Sequence, residues 1–518
     1  MKKVLFFGIL VVVLAITGVA GIILYHKYIR GALPAFKNPS KDIAELIEKA
    51  AKEPQNLTGM PLTIPAGFSI SIFAKNLPGA RVMAQDRFGN FWVSQTGKGK
   101  ISFLEVAEGK VVRVAEMLKG LKSPHGLAFD PENGTMLYIA EEDKISRLPT
   151  YSDGHLEKVI DLPSGGRHFT RTLGFGPDNK LYVSIGSTCN VCHEEDPRNA
   201  KIFSLNRDGS DFKEFARGLR NAVFFTWSYV DGKMWATEMG RDGLGDNLPP
   251  DEINIVEQDK NYGWPTCYGK NIHDTEFDKN TYIRNPCMDP FEMPSVVDLP
   301  AHSAPLGLAF VPEEGWPEEY WYNLLVAYHG SWNRTQPTGY KVARIKLDAK
   351  GAYLGTEDFI TGWLTADNEA LGRPVDILTV PGGIAYISDD KAGVIYKLSY
   401  LRNEEPGDAS DKSSLIRLDN PLSGSIVKNP LTVSGEARGY WFFEASFPVK
   451  LLDGNGKLLV VLPAQAQEEW MTENFVPFRV TLEFETPETE TGTLVLERDN
   501  PSGLPEHADE LRVPIRFR

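Results

Sequence analysis

A histidine between two arginines is the best candidate for chemistry in this chain of 518 residues. Arg167, His168 and Arg171 lie together near the start of the stretch 165–186. A neutral imidazole acts as a general base near pH 7, and neighbouring positive charge helps to keep it unprotonated. A single histidine in a loop more often has a structural or surface role, so the surrounding sequence must decide between the two.

The elements that would position His168 belong to a repeat. Between residues 65 and 402 one pattern returns six times: an apolar strand, a turn of Asp, Pro, Gly or Asn, and a strand rich in aromatic and β-branched residues. The copies open at Arg81, His125, Leu173, Ala222, Leu306 and Pro374. A long β-sandwich would not explain this recurrence, which predicts a six-bladed β-propeller. His168 precedes the third copy, where a repeat architecture places its binding face, and a long insertion over residues 241–300 is expected between blades.

The first 30 residues predict a membrane anchor. Residues 4–24 are an uncharged run of 21 residues, long enough to cross the bilayer core as a helix. A cleaved secretory signal is the alternative, with a weak cleavage site at residues 19–21, but the length of the run favours an anchor that stays. Lys2 and Lys3 favour a cytoplasmic N-terminus. We therefore expect a single-pass protein of the cell membrane with an extracytoplasmic body, set off from the bilayer by a tether over residues 31–64.

The net charge argues against one class of partner, and the cysteine content indicates disulfide bonds. The net charge of −14 argues against a nucleic-acid partner, whose phosphates need a basic surface. Four cysteines in an exported chain most simply form two disulfides, and we expect Cys189 with Cys192 and Cys267 with Cys287. Residues 189–193 also spell the haem c attachment motif, but they lie in a loop between two predicted strands, without the helical surroundings of a haem domain.

A second domain follows the propeller. Residues 403–413 have the polarity and turn residues of a linker, and short alternating strands over residues 414–518 predict an immunoglobulin-like β-sandwich. One of the predicted strands covers residues 441–446. This segment resembles the immunoglobulin-like module found beside bacterial spore-germination domains, which implies an extracellular binding or spacing role. The chain is thus expected to be all-β apart from its anchor.

Several ordered motifs span most of residues 65–400. They lie at residues 166–168, 173–186, 218–221, 237–241, 251–254, 261–265, 329–334, 339–341 and 372–374. Together they resemble the soluble glucose/sorbosone dehydrogenases, propellers that use pyrroloquinoline quinone (PQQ). The resemblance favours the catalytic interpretation of His168.

The resemblance also implies roles for individual residues. His168 stands where the family has the base that takes the proton of the substrate hydroxyl as hydride passes to the quinone. Arg220 stands where an arginine polarises the accepting quinone carbonyl, and Asn221 beside it would contact the cofactor. The backbone carbonyls of Gly240 and Arg241 stand where the family holds a Ca²⁺ that also binds PQQ, a role that suits oxygen ligands.

PQQ is a tricarboxylate, so its pocket needs cations. Lys341 and Arg373 stand at the motif positions that supply them in the family, and Arg334 is a further candidate. For each arginine the alternative is a surface ion pair.

Two departures separate this chain from the glucose-oxidising members of the family. The loop between Gly240 and Asp251 is longer, and Pro374 and Val375 follow Arg373 where those members have a second arginine. Both departures favour the sorbosone or aldose-type branch.

The expected function is therefore PQQ- and Ca²⁺-dependent oxidation of an aldose or sugar aldehyde, with an external electron acceptor. The alternative is a non-redox propeller, either a lactonase-like Ca²⁺ hydrolase or a sugar-binding adhesion module. A lactonase would need side-chain carboxylates that converge on the metal, whereas this sequence offers Arg, Lys and His from different blades.

Overall fold

The computed structural model describes residues 56–517 apart from 108, 152–154, 289–291, 401–411, 413–414, 422–424, 486, 488 and 501–508. The predicted anchor, most of the tether and nearly all of the linker lie outside these residues. Within the described part of the chain, no helix has the length and hydropathy that a membrane span requires. The chain divides after Tyr400 into two compact units.

The first unit is a six-bladed β-propeller, which confirms the prediction from the repeat. Each blade is a sheet of four antiparallel strands. The blades comprise Ala80–Gln85, Phe91–Gln95, Lys100–Ala107 and Lys110–Lys119 (blade 1); Leu127–Phe129, Met136–Ala140, Lys144–Pro149 and Glu157–Asp161 (blade 2); Leu173–Phe175, Leu181–Ile185, Lys201–Leu205 and Lys213–Arg217 (blade 3); Phe224–Trp227, Met234–Glu238, Asp251–Val256 and Val297–Leu299 (blade 4); Pro305–Phe310, Leu324–Tyr328, Lys341–Leu347 and Tyr353–Ile360 (blade 5); and Pro374–Val380, Ile384–Asp389 and Val394–Tyr400 with Phe68–Ala74 (blade 6).

Local sequence explains the strands and turns of a blade. The second strands Phe91–Gln95, Leu181–Ile185 and Leu324–Tyr328 are buried along their whole length, so apolar, aromatic and β-branched side chains pack on both faces. The fourth strand Lys110–Lys119 is half-buried to exposed and carries charged side chains. In the turn before Leu181–Ile185, Asn179 has φ +62°, a left-handed conformation that Asn tolerates better than most residues.

The insertion predicted between blades lies within blade 4 instead. Residues 239–250 connect its second and third strands, and residues 257–296 connect its third and fourth strands. The second insertion carries a small hairpin, Cys267–Tyr268 with Ile272–His273. The prediction of its place was wrong because Val297–Leu299 is only three residues long, too short to stand out in the sequence as the strand that completes the blade.

The ring is closed by a strand from the start of the propeller. Phe68–Ala74 pairs antiparallel with Val394–Tyr400, the last strand of blade 6. The Phe68 ring is fully buried and lies 5.2–5.7 Å from the rings of Trp316, Tyr320, Phe359 and Tyr400. The first and last strands of the propeller therefore share one apolar core.

We expect the propeller to fold without the sandwich but not without this closing strand. A fragment of residues 56–405 should unfold in one cooperative thermal transition, since each blade is covered by its neighbours. A matched fragment of residues 75–405 loses the buried side chains of Phe68 and Ile70, worth about 3–6 kcal/mol of burial. Its melting temperature, followed by circular dichroism, should be much lower. Equal melting temperatures would contradict the closing role, and a molten 56–405 fragment would contradict the domain boundary.

The second unit is the predicted immunoglobulin-like sandwich. Its strands are Ile416–Asn420, Leu431–Arg438, Ser446–Asp453, Leu458–Ala466, Phe475–Leu482, Thr491–Glu497 and Glu510–Arg516. The prediction of a strand over residues 441–446 was wrong: Gly439–Trp441 is a 3₁₀ turn, and the next strand begins only at Ser446. Trp441 and Phe442 are both buried although they are neighbours, and a strand would have pointed them to opposite faces.

Candidate active site

His168 lies in the connection between blades 2 and 3, next to a cleft of about 410 Å³. The walls of this cleft come from several blades and combine basic with apolar side chains. They include Arg81, Arg167, His168, Phe169, Asn221, Val223, Met239, Leu306 and Asp390. The predicted binding face therefore does hold His168 and Asn221 together.

Hydrogen bonds fix the tautomer of the His168 ring. Its Nδ1 lies 2.9 Å from both the carbonyl oxygen and the Oγ of Ser187. The Ser187 hydroxyl donates its proton to the carbonyl oxygen of Cys189 at 2.8 Å, so the ring must donate from Nδ1. Nε2 then carries the lone pair and makes no hydrogen bond with any residue that the structure describes. A base with its free lone pair is available to a molecule in the cleft.

The surroundings of His168 favour the neutral ring. Burial is the main cause that lowers the pKa of His168, and the charge of Arg220 lowers it further, with smaller effects from Arg167 and Arg171; the pKa falls to about 3. At neutral pH the imidazole is therefore unprotonated and able to accept a proton.

Arg171 holds the loop that carries His168. Its side chain is fully buried and donates to the carbonyl oxygens of His168, Thr170 and Pro163 at 2.8–2.9 Å. Arg167, by contrast, is exposed and contributes to the cleft wall. The two arginines that flank the histidine in sequence thus have different roles, one in the loop and one in the cleft.

Close packing sets the position of His168 against Asn221. A side chain at Gly186 would place its Cβ 2.6 Å from the His168 Cβ and 2.9 Å from the Asn221 Oδ1. Glycine is required there because no other residue allows both side chains to approach. The Asn221 backbone N–H donates to the buried carboxylate of Glu238 at 2.9 Å, which anchors the residue in blade 4.

Arg220 is not in the wall of this cleft, but its guanidinium is held in place by contacts that include Met239, a residue of the wall. Nε donates to the carbonyl oxygen of Asn190 at 2.8 Å, Nη2 to the Oδ1 of Asn190 at 3.0 Å, and Nη1 to the carbonyl oxygen of Met239 at 3.1 Å. Three of the five guanidinium N–H groups are engaged in this way, which leaves two donors. The carboxylate of Asp242 lies 3.7 Å from Nη2 and is the nearest counter-charge.

The loop that holds Arg220 is closed by a disulfide between Cys189 and Cys192, as predicted. The second predicted disulfide, Cys267 to Cys287, is also present, and no cysteine is free. Both cysteines of the haem c motif are engaged in the first of these bonds, with each other. Through Ser187 and Asn190 this loop contacts both His168 and Arg220.

The carbonyl oxygens of Gly240 and Arg241 lie in the first insertion of blade 4. The Gly240 N–H donates to the carboxylate of Asp251 at 2.9 Å, and the Asp242 N–H donates to the Oδ1 of Asn190 at 2.8 Å. No described residue donates a hydrogen bond to the carbonyl oxygen of Gly240 or of Arg241. Both oxygens are therefore available as ligands for a hard cation.

The cations predicted from the motifs are not in the wall of the cleft. Lys341 forms an ion pair with Asp358 on the outer strand of blade 5. Arg334 donates to the carbonyl oxygen of Ala301 at 3.0 Å and to the Oδ1 of Asn247 at 3.2 Å. Arg373 donates to the carbonyl oxygens of residues 329 and 330 at 2.9 and 2.6 Å.

Sequence reasoning missed Arg81, which lines the cleft together with Arg167. Arg81 opens blade 1, and its Nη1 lies 2.8 Å from the Oδ2 of Asp390. The signal that could have revealed it is its position in the repeat. Two of the six residues that open the copies, Arg81 and His125, are polar. The other four are not polar: Leu173, Ala222, Leu306 and Pro374.

Known proteins similar to this chain were found by sequence and by structure. An uncharacterized protein of Borreliella burgdorferi is 33% identical over 359 residues, which cover 65% of this chain and 91% of that protein. The pyrroloquinoline quinone-dependent pyranose dehydrogenase of Coprinopsis cinerea is 24% identical over 402 residues. Quinoprotein glucose dehydrogenase B of Acinetobacter calcoaceticus is 27% identical over 253 residues. The alignment with the pyranose dehydrogenase covers 65% of this chain and 54% of that protein. The alignment with the glucose dehydrogenase covers 38% of this chain and 51% of that protein. This chain therefore spans about half the length of these two relatives.

The fold has solved counterparts. The PQQ domain of pyranose dehydrogenase from Coprinopsis cinerea superimposes with a TM-score of 0.57 at 20% identity, covering 68% of this chain and 99% of that domain. A carbohydrate-active enzyme of family AA12 from Trichoderma reesei gives a TM-score of 0.56 at 20% identity, covering 66% of this chain and 98% of that one.

Fold and site together define a six-bladed propeller whose cleft combines a neutral histidine with arginines. The chain belongs to the TrAA12-like family, whose description matches residues 62–401. Residues 415–503 match the immunoglobulin-like domain of bacterial spore germination. Both matches confirm the resemblances drawn from the sequence motifs.

Proposed function

We propose that this protein is a PQQ-dependent oxidoreductase that oxidises an aldose or sugar aldehyde. The observation that carries the proposal is the free Nε2 lone pair of His168 at a cleft lined by arginines. The names of two relatives, a PQQ-dependent pyranose dehydrogenase and a quinoprotein glucose dehydrogenase, support the same class of reaction.

The charge, apolar lining and size of the cleft support PQQ as its ligand. Arg81 and Arg167 contribute positive charge to its wall, and the one acid there, Asp390, is already paired with Arg81. Phe169, Val223, Met239 and Leu306 supply apolar contacts for a flat ring system. A volume of about 410 Å³ lies in the range typical of small-molecule sites.

The residues of the cleft have complementary tasks in such a reaction. When bound, PQQ supplies the acceptor for the hydride that leaves C1 of the sugar. His168 Nε2 accepts the proton of the C1 hydroxyl, so the aldose loses two electrons and two hydrogens in total and becomes a lactone. Arg220, with two N–H donors left, stabilises negative charge that grows beside the histidine. An external electron acceptor then restores the protein for the next turnover.

We further propose that Ca²⁺ binds at the carbonyl oxygens of Gly240 and Arg241. These oxygens have no hydrogen-bond donor among the described residues, and Ca²⁺ prefers neutral and anionic oxygen ligands. The Asp242 carboxylate follows directly in the chain and is a candidate third ligand. Lys341, Arg334 and Arg373 remain proposed contributors of positive charge near the cofactor, although all three lie outside the cleft wall.

The non-redox alternative receives less support from the side chains. The described residues contain two groups of three potential metal-binding side chains, and each group includes two cysteines that are joined in a disulfide. A converging set of carboxylates, as a metal-dependent lactonase would need, is not found among them.

The location is also proposed from sequence: an extracytoplasmic body, attached to the cell membrane through residues 4–24.

The proposal is tested by reconstitution. Purified protein is mixed with PQQ in Ca²⁺-containing buffer, free quinone is removed, and retained quinone is measured by absorbance. Dye reduction is then followed with a panel of aldoses. We expect stoichiometric retention, reduction by at least one aldose, and loss of activity after chelation of Ca²⁺. If no quinone is retained, the assignment is wrong; retention that is insensitive to chelation would remove only the Ca²⁺ proposal.

The pH dependence should report the low pKa of His168. The base must be unprotonated, so activity is lost as the pH falls through its pKa, and burial together with the nearby arginines places this below the ordinary value of 6.5. We expect kcat/KM of the PQQ-loaded protein to stay constant from pH 8 to below pH 6.5. An acid limb centred near pH 6.5 would indicate a histidine with an unperturbed pKa and would contradict the described environment.

A further inference from the structure

Arg81 is held at the wall of the cleft by a chain of buried groups. Its Nη1 lies 2.8 Å from the Oδ2 of Asp390, and the Oδ1 of Asp390 lies 2.9 Å from the Nε2 of His329. The side chains of Arg81 and Asp390 are only 16% and 18% exposed. Three blades therefore contribute to one arrangement, because Arg81 belongs to blade 1, Asp390 follows a strand of blade 6, and His329 follows a strand of blade 5.

This arrangement fixes the charge states of its members. Burial is the main cause that lowers the pKa of His329, to about 4, so the ring is neutral and donates from Nε2 to Asp390. Burial raises the pKa of Asp390, but His329 and Arg81 outweigh it and hold the pKa below its usual range. The Arg81 guanidinium is thus positioned by an ionised carboxylate.

Arg81 still has donors to spare. Only its Nη1 has a hydrogen-bond partner among the described residues, the Oδ2 of Asp390, and Nη2, unlike the enclosed Nε, is not buried. A guanidinium fixed at a cleft wall with unpaired N–H groups can bind a carboxylate through them. Since Arg81 lines the cleft, its terminal N–H groups are available to a group that enters the cleft.

We propose that Arg81 binds a carboxylate of the cofactor in the cleft. The inference rests on the proposed PQQ-dependent function and names a residue that it does not require. An arginine binds a carboxylate through its N–H groups, and Arg81 retains those of Nη2 and one of Nη1 for this purpose.

The test is a binding titration that does not depend on turnover. PQQ and its trimethyl ester, which lacks the carboxylate charges, are titrated into the full-length protein without sugar, and quenching of tryptophan fluorescence is recorded. Wild type is compared with Arg81→Gln, Arg81→Lys and the control Arg113→Gln, which removes an exposed arginine of the same blade. Because Arg81→Gln leaves Asp390 without its partner, the double variant Arg81→Gln/Asp390→Asn removes both charges and guards against a loss that comes from unfolding.

We expect Arg81→Gln and the double variant to bind PQQ about 10- to 100-fold more weakly, as for loss of a charged hydrogen bond. Binding of the ester should change little, Arg81→Lys should lie between, and Arg113→Gln should match wild type. Equal weakening for PQQ and the ester, or unchanged PQQ binding in well-folded variants, would overturn the inference and leave the proposed function intact. No PQQ binding by wild type would overturn both.

Discussion

Replacement of His168 by glutamine is expected to lower the rate of sugar oxidation by about 10²–10⁴-fold while PQQ binding stays within a few-fold of wild type. Nε2 is the only atom of the ring that is free to accept a proton, since Nδ1 donates to Ser187. Glutamine is similar in size but is not a base at neutral pH. The measurement is dye reduction at saturating PQQ and Ca²⁺, with PQQ affinity determined in parallel by fluorescence.

His193→Gln is the matched control for this experiment. His193 lies in the neighbouring disulfide loop and packs against Phe277, with ring centroids 5.2 Å apart, and it has no place in the cleft wall. Its replacement should leave kcat within about twofold, as is usual for substitutions away from a site. Wild-type turnover by His168→Gln would show that another group accepts the proton.

Replacement of Arg220 by alanine is expected to lower kcat by about 10²–10³-fold, the effect of removing one preorganised donor from a site where negative charge develops. The guanidinium is already oriented by Asn190 and Met239 and needs no reorganisation during the reaction. The variant should also shift the acid limb of kcat/KM to higher pH, because Arg220 is the largest charge effect on the pKa of His168. Both quantities come from one series of initial rates across pH.

Arg220→Lys separates charge from geometry. Lysine keeps the positive charge that lowers the pKa of His168, but it cannot reproduce the two contacts with Asn190. We therefore expect a wild-type acid limb together with a reduced kcat. If Arg220→Ala and Arg220→Lys lower kcat equally, and neither variant shifts the acid limb of kcat/KM, Arg220 has a structural role only.

Much of this fold could be predicted from the sequence because its signals are local. A blade is specified by a strand, a turn and a second strand within about 20 residues, and the same signal returns six times. The positions of His168 and Asn221 followed from short motifs next to such strands. The Trp441 turn was missed because an aromatic run indicates a strand only when tertiary contacts permit alternation, and here Trp441 and Phe442 are both buried.

The partners within the cleft could not be predicted because they are distant in sequence. Arg81 and Asp390 form an ion pair across 309 positions of the chain. Lys341 matched a motif, but its direction depends on Asp358, which lies on the neighbouring strand and takes the ammonium group to the outer part of blade 5. The role of Asn190 was hidden for the same reason, since its contacts with Arg220 and Asp242 join blades 3 and 4.

The central claim is that His168 and the arginines around the cleft support hydride transfer from a sugar to PQQ. Single-turnover kinetics test it most directly: protein loaded with PQQ and Ca²⁺ is mixed anaerobically with one aldose, without dye, and the absorbance of the oxidised quinone is followed by stopped flow. We predict a sugar-dependent loss of this absorbance in wild type, about 10²–10⁴-fold slower in His168→Gln. Quinone that is bound but keeps its absorbance with every aldose tested would contradict the claim and favour a non-redox propeller.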